Sequence, residues 1–339
     1  MWNILISSYA SWGYSADALE LFEQMQEECP KLDRSSFICI LKACSGYLSL
    51  GKAIDVHTHI VDCGFELDMS LGCSLIDMYV KCGSLEGAQV IFNKSLCRDV
   101  AMWSALIWGH AQLGDDKKAF ELLDEMRQAN CEPNQVTYLA ILKACSSSTA
   151  LQQGRLVHSQ VIISGMEMDN SIGNALIDMY SKCGSLTEAD SVFSRLSQRD
   201  VISWSTMIGG YADLAKMQET LDIFYRMQQA GIKPNSTTYL SILKACCDPA
   251  NLPVLHLIHS YILKDGLESD TFIGNALIDM YPKCDSLEVS CIHFCRLSTK
   301  DSVTWSLLIG WHARYNLGRE ALILFQQMQQ QRIQPEPST

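Results

Sequence analysis

VISWSTMIGGYADLAKMQETLDIFYRMQQAGIKPN, residues 201–235, decides the fold. It holds an apolar helical stretch, a break, a second helical stretch and then Pro234. MWSALIWGHAQLGDDKKAFELLDEM (102–126), YLAILKACSSSTALQQGRLVHSQVIISG (138–165) and GNALIDMYSKCGSLTEADSVFSRL (173–196) follow the same grammar, with the break near Gly or Ser. In the second stretches Ala119, Leu122, Leu123 and Met126, and again Ala189, Val192, Phe193 and Leu196, fall at i, i+3, i+4, i+7. That spacing is one face of an α-helix. Pro133, Pro234 and Pro335 follow second helices, where a proline breaks no internal hydrogen bond. No segment alternates with the period of a strand, so the chain reads as all-α.

The unit repeats. Trp2, Trp103, Trp204 and Trp305 are 101 residues apart, and Cys44, Cys145 and Cys246 keep the interval within LKAC. So do His57, His158 and His259, Cys82, Cys183 and Cys284, and Asp99, Asp200 and Asp301. The period divides into motifs of 35, 35 and 31 residues: 1–33 (two residues short), 34–68, 69–99, 100–134, 135–169, 170–200, 201–235, 236–270, 271–301 and 302–336. One hairpin cannot bury its own apolar face, so ten of them must stack into a solenoid.

Composition narrows the function classes. The 339 residues are 48% hydrophobic and 19% charged, far from a disordered composition. No run of 18 apolar residues offers a membrane span. A net charge of −12 argues against nonspecific binding to nucleic acid or anionic membrane. Fifteen cysteines, an odd number without C-x-x-C spacing or a signal peptide, favour reduced thiols in an intracellular compartment.

Residues 201–235 resemble a pentatricopeptide repeat. The alternation of 35, 35 and 31 residues is similar to the P, L and S motifs of the plant PLS subclass, with ILKAC…HSQVIISG like the L type and GNALIDMYSKCGSLTEA like the S type. The resemblance covers all ten motifs. It implies a right-handed α-solenoid superhelix of helix-turn-helix repeats that binds single-stranded RNA in a mitochondrion or plastid. It further implies a monomer that serves as the recognition arm of a C-to-U editing factor, with a DYW-type deaminase or other editing factors in trans.

The side chains give this a physical basis. Within each first helix the second, fifth, ninth and thirteenth motif residues share one face. A polar fifth residue on a groove-lining face reaches a base edge, and the last residue of the motif sits beside it. The pairs are Asn3 with Asp33, Ser104 with Asn134, Asn174 with Asp200, Ser205 with Asn235, and Asn275 with Asp301. These short polar side chains suit readout of unpaired bases. The family's code, as the resemblance implies, reads Asn with Asp as uridine and Ser with Asn as adenine. The site expected is 5′-U-x-x-A-x-U-A-x-U-x-3′.

Ile38, Leu139 and Leu240, the fifth residues of the L-type motifs, offer no hydrogen bond and receive no base; Cys73 with Asp99 and Ser306 with Glu336 depart from the code. Lys42, Lys143 and Lys244 (ninth residues) and Lys81, Lys182 and Lys283 (thirteenth residues) lie on the same face. Much of the acid falls on second helices, including Glu20, Glu23, Glu121, Asp124 and Glu125, so a locally positive groove for the phosphate backbone is expected.

Other constellations are weaker. Gly46-Tyr-Leu-Ser-Leu-Gly51-Lys52-Ala53 lacks the Ser/Thr of a P-loop and reads as an inter-helix turn. Cys291, His293 and Cys295 have no fourth metal ligand. His57, His158 and His259 recur once per triplet and cannot converge on one substrate; they and the periodic tryptophans read as packing residues. The H-x-E and P-C-x-x-C of a zinc deaminase are absent, so no catalysis and no cofactor is expected of these residues. The rival from another class is a tetratricopeptide-like protein-interaction scaffold. A 34-residue period would favour it.

Overall fold

The computed structural model describes residues 2–28, 32–65, 68–95, 97–297 and 299–335, all helix, turn or coil without a strand. The chain divides within one helix into two compact units, Met1–Met179 and Tyr180–Thr339.

In the first unit the helices run Trp2–Ser11 and Ser15–Glu28 (α1, α2), Arg34–Tyr47 and Leu50–Asp62 (α3, α4), Met69–Lys81 and Leu85–Lys94 (α5, α6), Val100–Gln112 and Asp116–Gln128 (α7, α8), and Gln135–Ser147 and Leu151–Ile163 (α9, α10). Asn170–Lys182 (α11) carries the chain across the division. The second unit holds Leu186–Arg195 (α12), Val201–Asp213 and Met217–Gln229 (α13, α14), Ser236–Ala245 and Leu252–Lys264 (α15, α16), Thr271–Lys283 and Leu287–Arg296 (α17, α18), and Ser302–Arg314 and Gly318–Gln330 (α19, α20). Within each unit the architecture is a two-layer stack. First helices pack on first helices, as α1–α3–α5–α7–α9 and α13–α15–α17–α19, and the second helices α2, α4, α6, α8, α14, α16 and α18 each wedge against their own first helix and the next one.

The core follows the repeat. Ala119, Leu122, Leu123 and Met126 are all buried, as are Ala189, Val192, Phe193 and Leu196. Trp103, Trp204 and Trp305 are buried edge-on against Phe92, Phe193 and Phe294, at 4.6, 4.8 and 4.7 Å between ring centroids. The tryptophans are therefore packing residues. Each such pair contributes about 0.5–1.5 kcal/mol beyond the area it buries.

The turns repeat less faithfully. Gly114 takes φ 80° between α7 and α8, whereas Ala215 is forced to φ 54° at the matching place between α13 and α14. The P-loop-like stretch is the turn from α3 to α4, with Leu48 at φ 56°. In the second unit α15 stops at Ala245, and a 3-10 turn at Pro249–Asn251 leads into α16.

Candidate nucleic-acid interface

The five last-of-motif residues proposed as base readers are helix N-caps. Asp33 caps α3, Asn134 caps α9, Asp200 caps α13, Asn235 caps α15 and Asp301 caps α19. In each the side-chain Oδ1 accepts the amide of the third helical residue, Ser36, Thr137, Ser203, Thr238 or Thr304, at 2.7–3.0 Å. A cap of this kind satisfies an amide that has no intrahelical partner. The sequence reading missed this role. Its signal was the Ser or Thr three residues later, whose hydroxyl closes a capping box in α9, α15 and α19.

At four of these caps one side-chain atom is occupied and the other is left. No described residue bonds Nδ2 of Asn134 or Asn235, or Oδ2 of Asp33 or Asp301. Hydrogen bonds from Ser36 hold the Asp33 carboxyl below its usual range. At Asp301 burial pushes the other way, but the bonds from Thr304 outweigh it and the carboxyl is again held low. Both are anionic at neutral pH.

The fifth residues are brought beside these caps. Asn3 Nδ2 lies 3.4 Å from Asp33 Oδ1, Asn275 Nδ2 3.5 Å from Asp301 Oδ1, and Ser104 Oγ 3.2 Å from Asn134 Oδ1. Ser205 instead meets the Thr238 hydroxyl at 2.6 Å. Asn174 belongs to the first unit and Asp200 to the second. The serines are less available than the sequence suggested. Ser104 and Ser205 are buried, and Ser104 donates to Val100 O at 2.6 Å. Glu336 lies outside the described residues.

The L-type motifs end differently. Asp68 and Asp270 each accept two amides with Oδ1, from Ser70 and Leu71 and from Phe272 and Ile273. Their second oxygens are taken by the first residue of the same motif, Arg34 at 2.5 Å and Ser236 at 2.7 Å. Asp169 accepts from Ile172 N and from the Gln135 side chain, both at 3.0 Å. Beside an apolar fifth residue the cap is closed at Asp68 and Asp270, whereas both bonds at Asp169 fall on Oδ1.

The lysine face is less positive than expected. Lys81 pairs with Asp77, Lys283 with Asp279 and Lys244 with Asp213, at 2.6–2.7 Å. These carboxylates share the face with the lysines because they occupy the same ninth and thirteenth slots. Lys42 donates to the Ser11 hydroxyl at 3.1 Å, Lys143 is exposed, and Lys182 is not without a partner. One turn before the fifth residues, Val136, Ile202, Phe272 and Val303 are exposed apolar side chains. Sequence reading placed that second motif position on the face but gave it no task. The signal was an apolar residue on an otherwise polar stripe.

Of the remaining constellations, His57 and His259 bond the hydroxyls of Tyr79 and Tyr281 at 2.8 and 2.7 Å, as packing residues. Cys291 faces His312 at 3.7 Å, and the described residues hold no group of three or more metal-ligating side chains. The fourteen described cysteines are free thiols. No described helix is long and apolar enough to cross a membrane.

Known proteins share this frame. Residues 98–147 and 199–248 match the PPR repeat family, and 1–29, 73–100, 174–201 and 303–333 match the PPR repeat, together more than half of the chain. The chain belongs to the pentatricopeptide repeat family. Among its Arabidopsis thaliana relatives, pentatricopeptide repeat-containing protein At1g15510, chloroplastic, is 33% identical over all of this chain and 39% of its own length. Pentatricopeptide repeat-containing protein At5g27110 is 35% identical over all of this chain and 49% of its own. Pentatricopeptide repeat-containing protein At3g02330, mitochondrial, is 31% identical over all of this chain and 40% of its own. This pentatricopeptide repeat chain thus spans two-fifths to one-half of these relatives' length. The crystal structure of the pentatricopeptide repeat protein PPR10 in complex with an 18-nt psaJ RNA element superposes with a TM-score of 0.78, over 99% of this chain and 51% of that one. At 16% identity that likeness shows the fold, a helical repeat.

Proposed function

We propose that this array binds single-stranded organellar RNA in a sequence-specific way, reading 5′-U-x-x-A-x-U-A-x-U-x-3′ through the five pairs named above. The observation that carries the reading is the N-cap with one atom left over at Asp33, Asn134, Asn235 and Asp301. A spare carboxylate oxygen accepts the N3–H of uracil. A spare amide Nδ2 donates to N1 of adenine, which carries no hydrogen. The bases would lie against Val136, Ile202, Phe272 and Val303, apolar surfaces that tolerate any ring face. The closed caps at Asp68 and Asp270 fit positions without a specified base. The solved PPR10 complex with RNA and the relatives named chloroplastic or mitochondrial support the ligand class and the compartment.

Within that reading the array serves as the recognition arm of a C-to-U editing factor. It would hold a cytidine a few nucleotides 3′ of the bound tract for a deaminase in trans. The repeat boundaries given by the sequence define which nucleotide each pair faces.

The test is a binding titration of a short unpaired RNA carrying this tract, against the same RNA with its specified bases permuted. The double variant Ser104→Asn with Asn134→Asp runs beside it. The intended RNA should bind about tenfold or more tightly, one good base contact being worth ~1–3 kcal/mol. The double variant should shift the preference at the fourth base from A to U. Equal, weak binding of both RNAs at low salt would defeat the reading and leave a protein-interaction scaffold in its place.

A further inference from the structure

The first hairpin carries a cavity that RNA reading does not use. Ser8, Tyr9, Trp12, Tyr14 and Asp17 line about 500 Å³ where α1 turns into α2. That is within the ~300–1,000 Å³ common for small-molecule sites. The Tyr9 and Tyr14 rings meet edge-on, 6.2 Å between centroids. Trp12 is 80% exposed and Tyr14 60%, so two large ring surfaces stand in water.

Repeat geometry does not ask for these rings. In the matching turns Leu113, Leu214 and Tyr315 replace Trp12, and Asp115, Lys216 and Leu317 replace Tyr14. Those turn positions are open as well, Leu113 at 51% and Leu214 at 42% exposed, so the exposure belongs to the turn itself. At the place of Asp17 the later hairpins carry Lys118, Glu219 and Glu320. The combination of three aromatic rings and a carboxylate is confined to the first hairpin.

We propose that Tyr9, Trp12, Tyr14 and Asp17 form an aromatic cage for a small alkylammonium cation. The faces of indole and phenol rings carry negative quadrupole charge and attract a cation held over them. Alkyl groups on the nitrogen spread its charge and weaken its hydration, so it leaves water for a ring surface more readily than a bare ammonium does. Asp17 supplies the counter-charge, with Glu20 exposed one turn further along α2. The same carboxylates select against nucleic acid, because a base stacked on Trp12 would bring its phosphate toward Asp17. A neutral apolar ligand would leave Asp17 without a role.

The experiment is a calorimetric titration of choline into the whole chain, with its neutral isostere beside it, a quaternary carbon replacing the nitrogen. Trp12→Ala and Asp17→Asn complete the set. Both replace exposed side chains, and circular dichroism checks that the helices are retained. Saturable choline binding is expected, with the isostere weaker by about tenfold, Asp17→Asn weaker by several-fold and Trp12→Ala without detectable binding. Equal binding of choline and isostere, a response unchanged in Trp12→Ala, or no saturable response would each overturn the cage. A nonspecific unpaired RNA whose affinity drops in Trp12→Ala while choline fails to bind would reassign the rings to base stacking.

Discussion

Asp301 has two oxygens with two different tasks, one closing the end of α19 and one facing outward, and the tasks separate by mutation. Asn and Asp are near-equal as N-caps, whereas Ala is not. Asp301→Asn should therefore leave the urea midpoint almost unchanged while weakening RNA with uridine at the ninth base by about tenfold. Asp301→Ala should lose the cap as well, costing about 0.5–2 kcal/mol in urea unfolding. If Asp301→Asn leaves uridine preference intact, the outward oxygen reads nothing. The contacts of Asn3 with Asp33, Ser104 with Asn134 and Asn275 with Asp301 were legible in the sequence because both partners recur at fixed motif positions. Their capping geometry was not. Nor was the engagement of Ser104 and Ser205 inside the protein, since a residue name does not say where its one hydroxyl proton goes.

Helices were the most legible level, because the 3.6-residue period of apolar side chains is written directly in the second stretches. What escaped was the local cost of departures from the repeat. Ala215 sits at φ 54° where its counterpart is Gly114, a left-handed conformation that disfavours any Cβ. Ala215→Gly should raise stability by about 1 kcal/mol, read as a higher midpoint in thermal or urea unfolding. His293 is a second departure, buried in α18 where Val192 and Ile91 stand in the earlier triplets. It stacks on Tyr281 and meets the His259 ring at 4.2 Å, with Arg296 and Glu268 lining the same small cavity and His256 against Tyr281.

Burial, with His259 and Arg296 adding to it, pushes the His293 imidazole down to about 4, and burial lowers His259 as well. Both folded values lie below the unfolded one of 6.5, so the unfolded chain takes up protons first as pH falls. The second unit should keep its full stability above that value and lose on the order of 2 kcal/mol on acidification toward pH about 4. His293→Val should flatten much of that loss in urea midpoints measured across this range. An unchanged slope would show that the pair does not govern it.

Across the whole chain, the 101-residue period announced the fold before any helix was placed, and charge was the poorest guide. A count of lysines on one face overlooked the aspartates at the same motif positions, which Asp77, Asp213 and Asp279 now occupy as ion-pair partners. Binding to single-stranded RNA should consequently be only mildly salt-dependent. Six engaged lysines would give a slope of log K against log salt near −4, whereas two give about −1.4. A titration at several salt concentrations distinguishes these, and a slope near −4 would mean that RNA displaces the aspartates.

On the proposed reading, the leftover atom at Asp33, Asn134, Asn235 and Asp301 has a consequence for how such a protein can change over generations. One nucleotide substitution exchanges Asp and Asn codons, and the exchange preserves the helix end while inverting donor and acceptor toward solvent. Lineages can therefore drift from one target sequence to another a letter at a time without passing through unfolded intermediates. The closed caps at Asp68 and Asp270 lie outside that traffic, so novelty in recognition should accumulate at the motifs whose caps keep an atom spare.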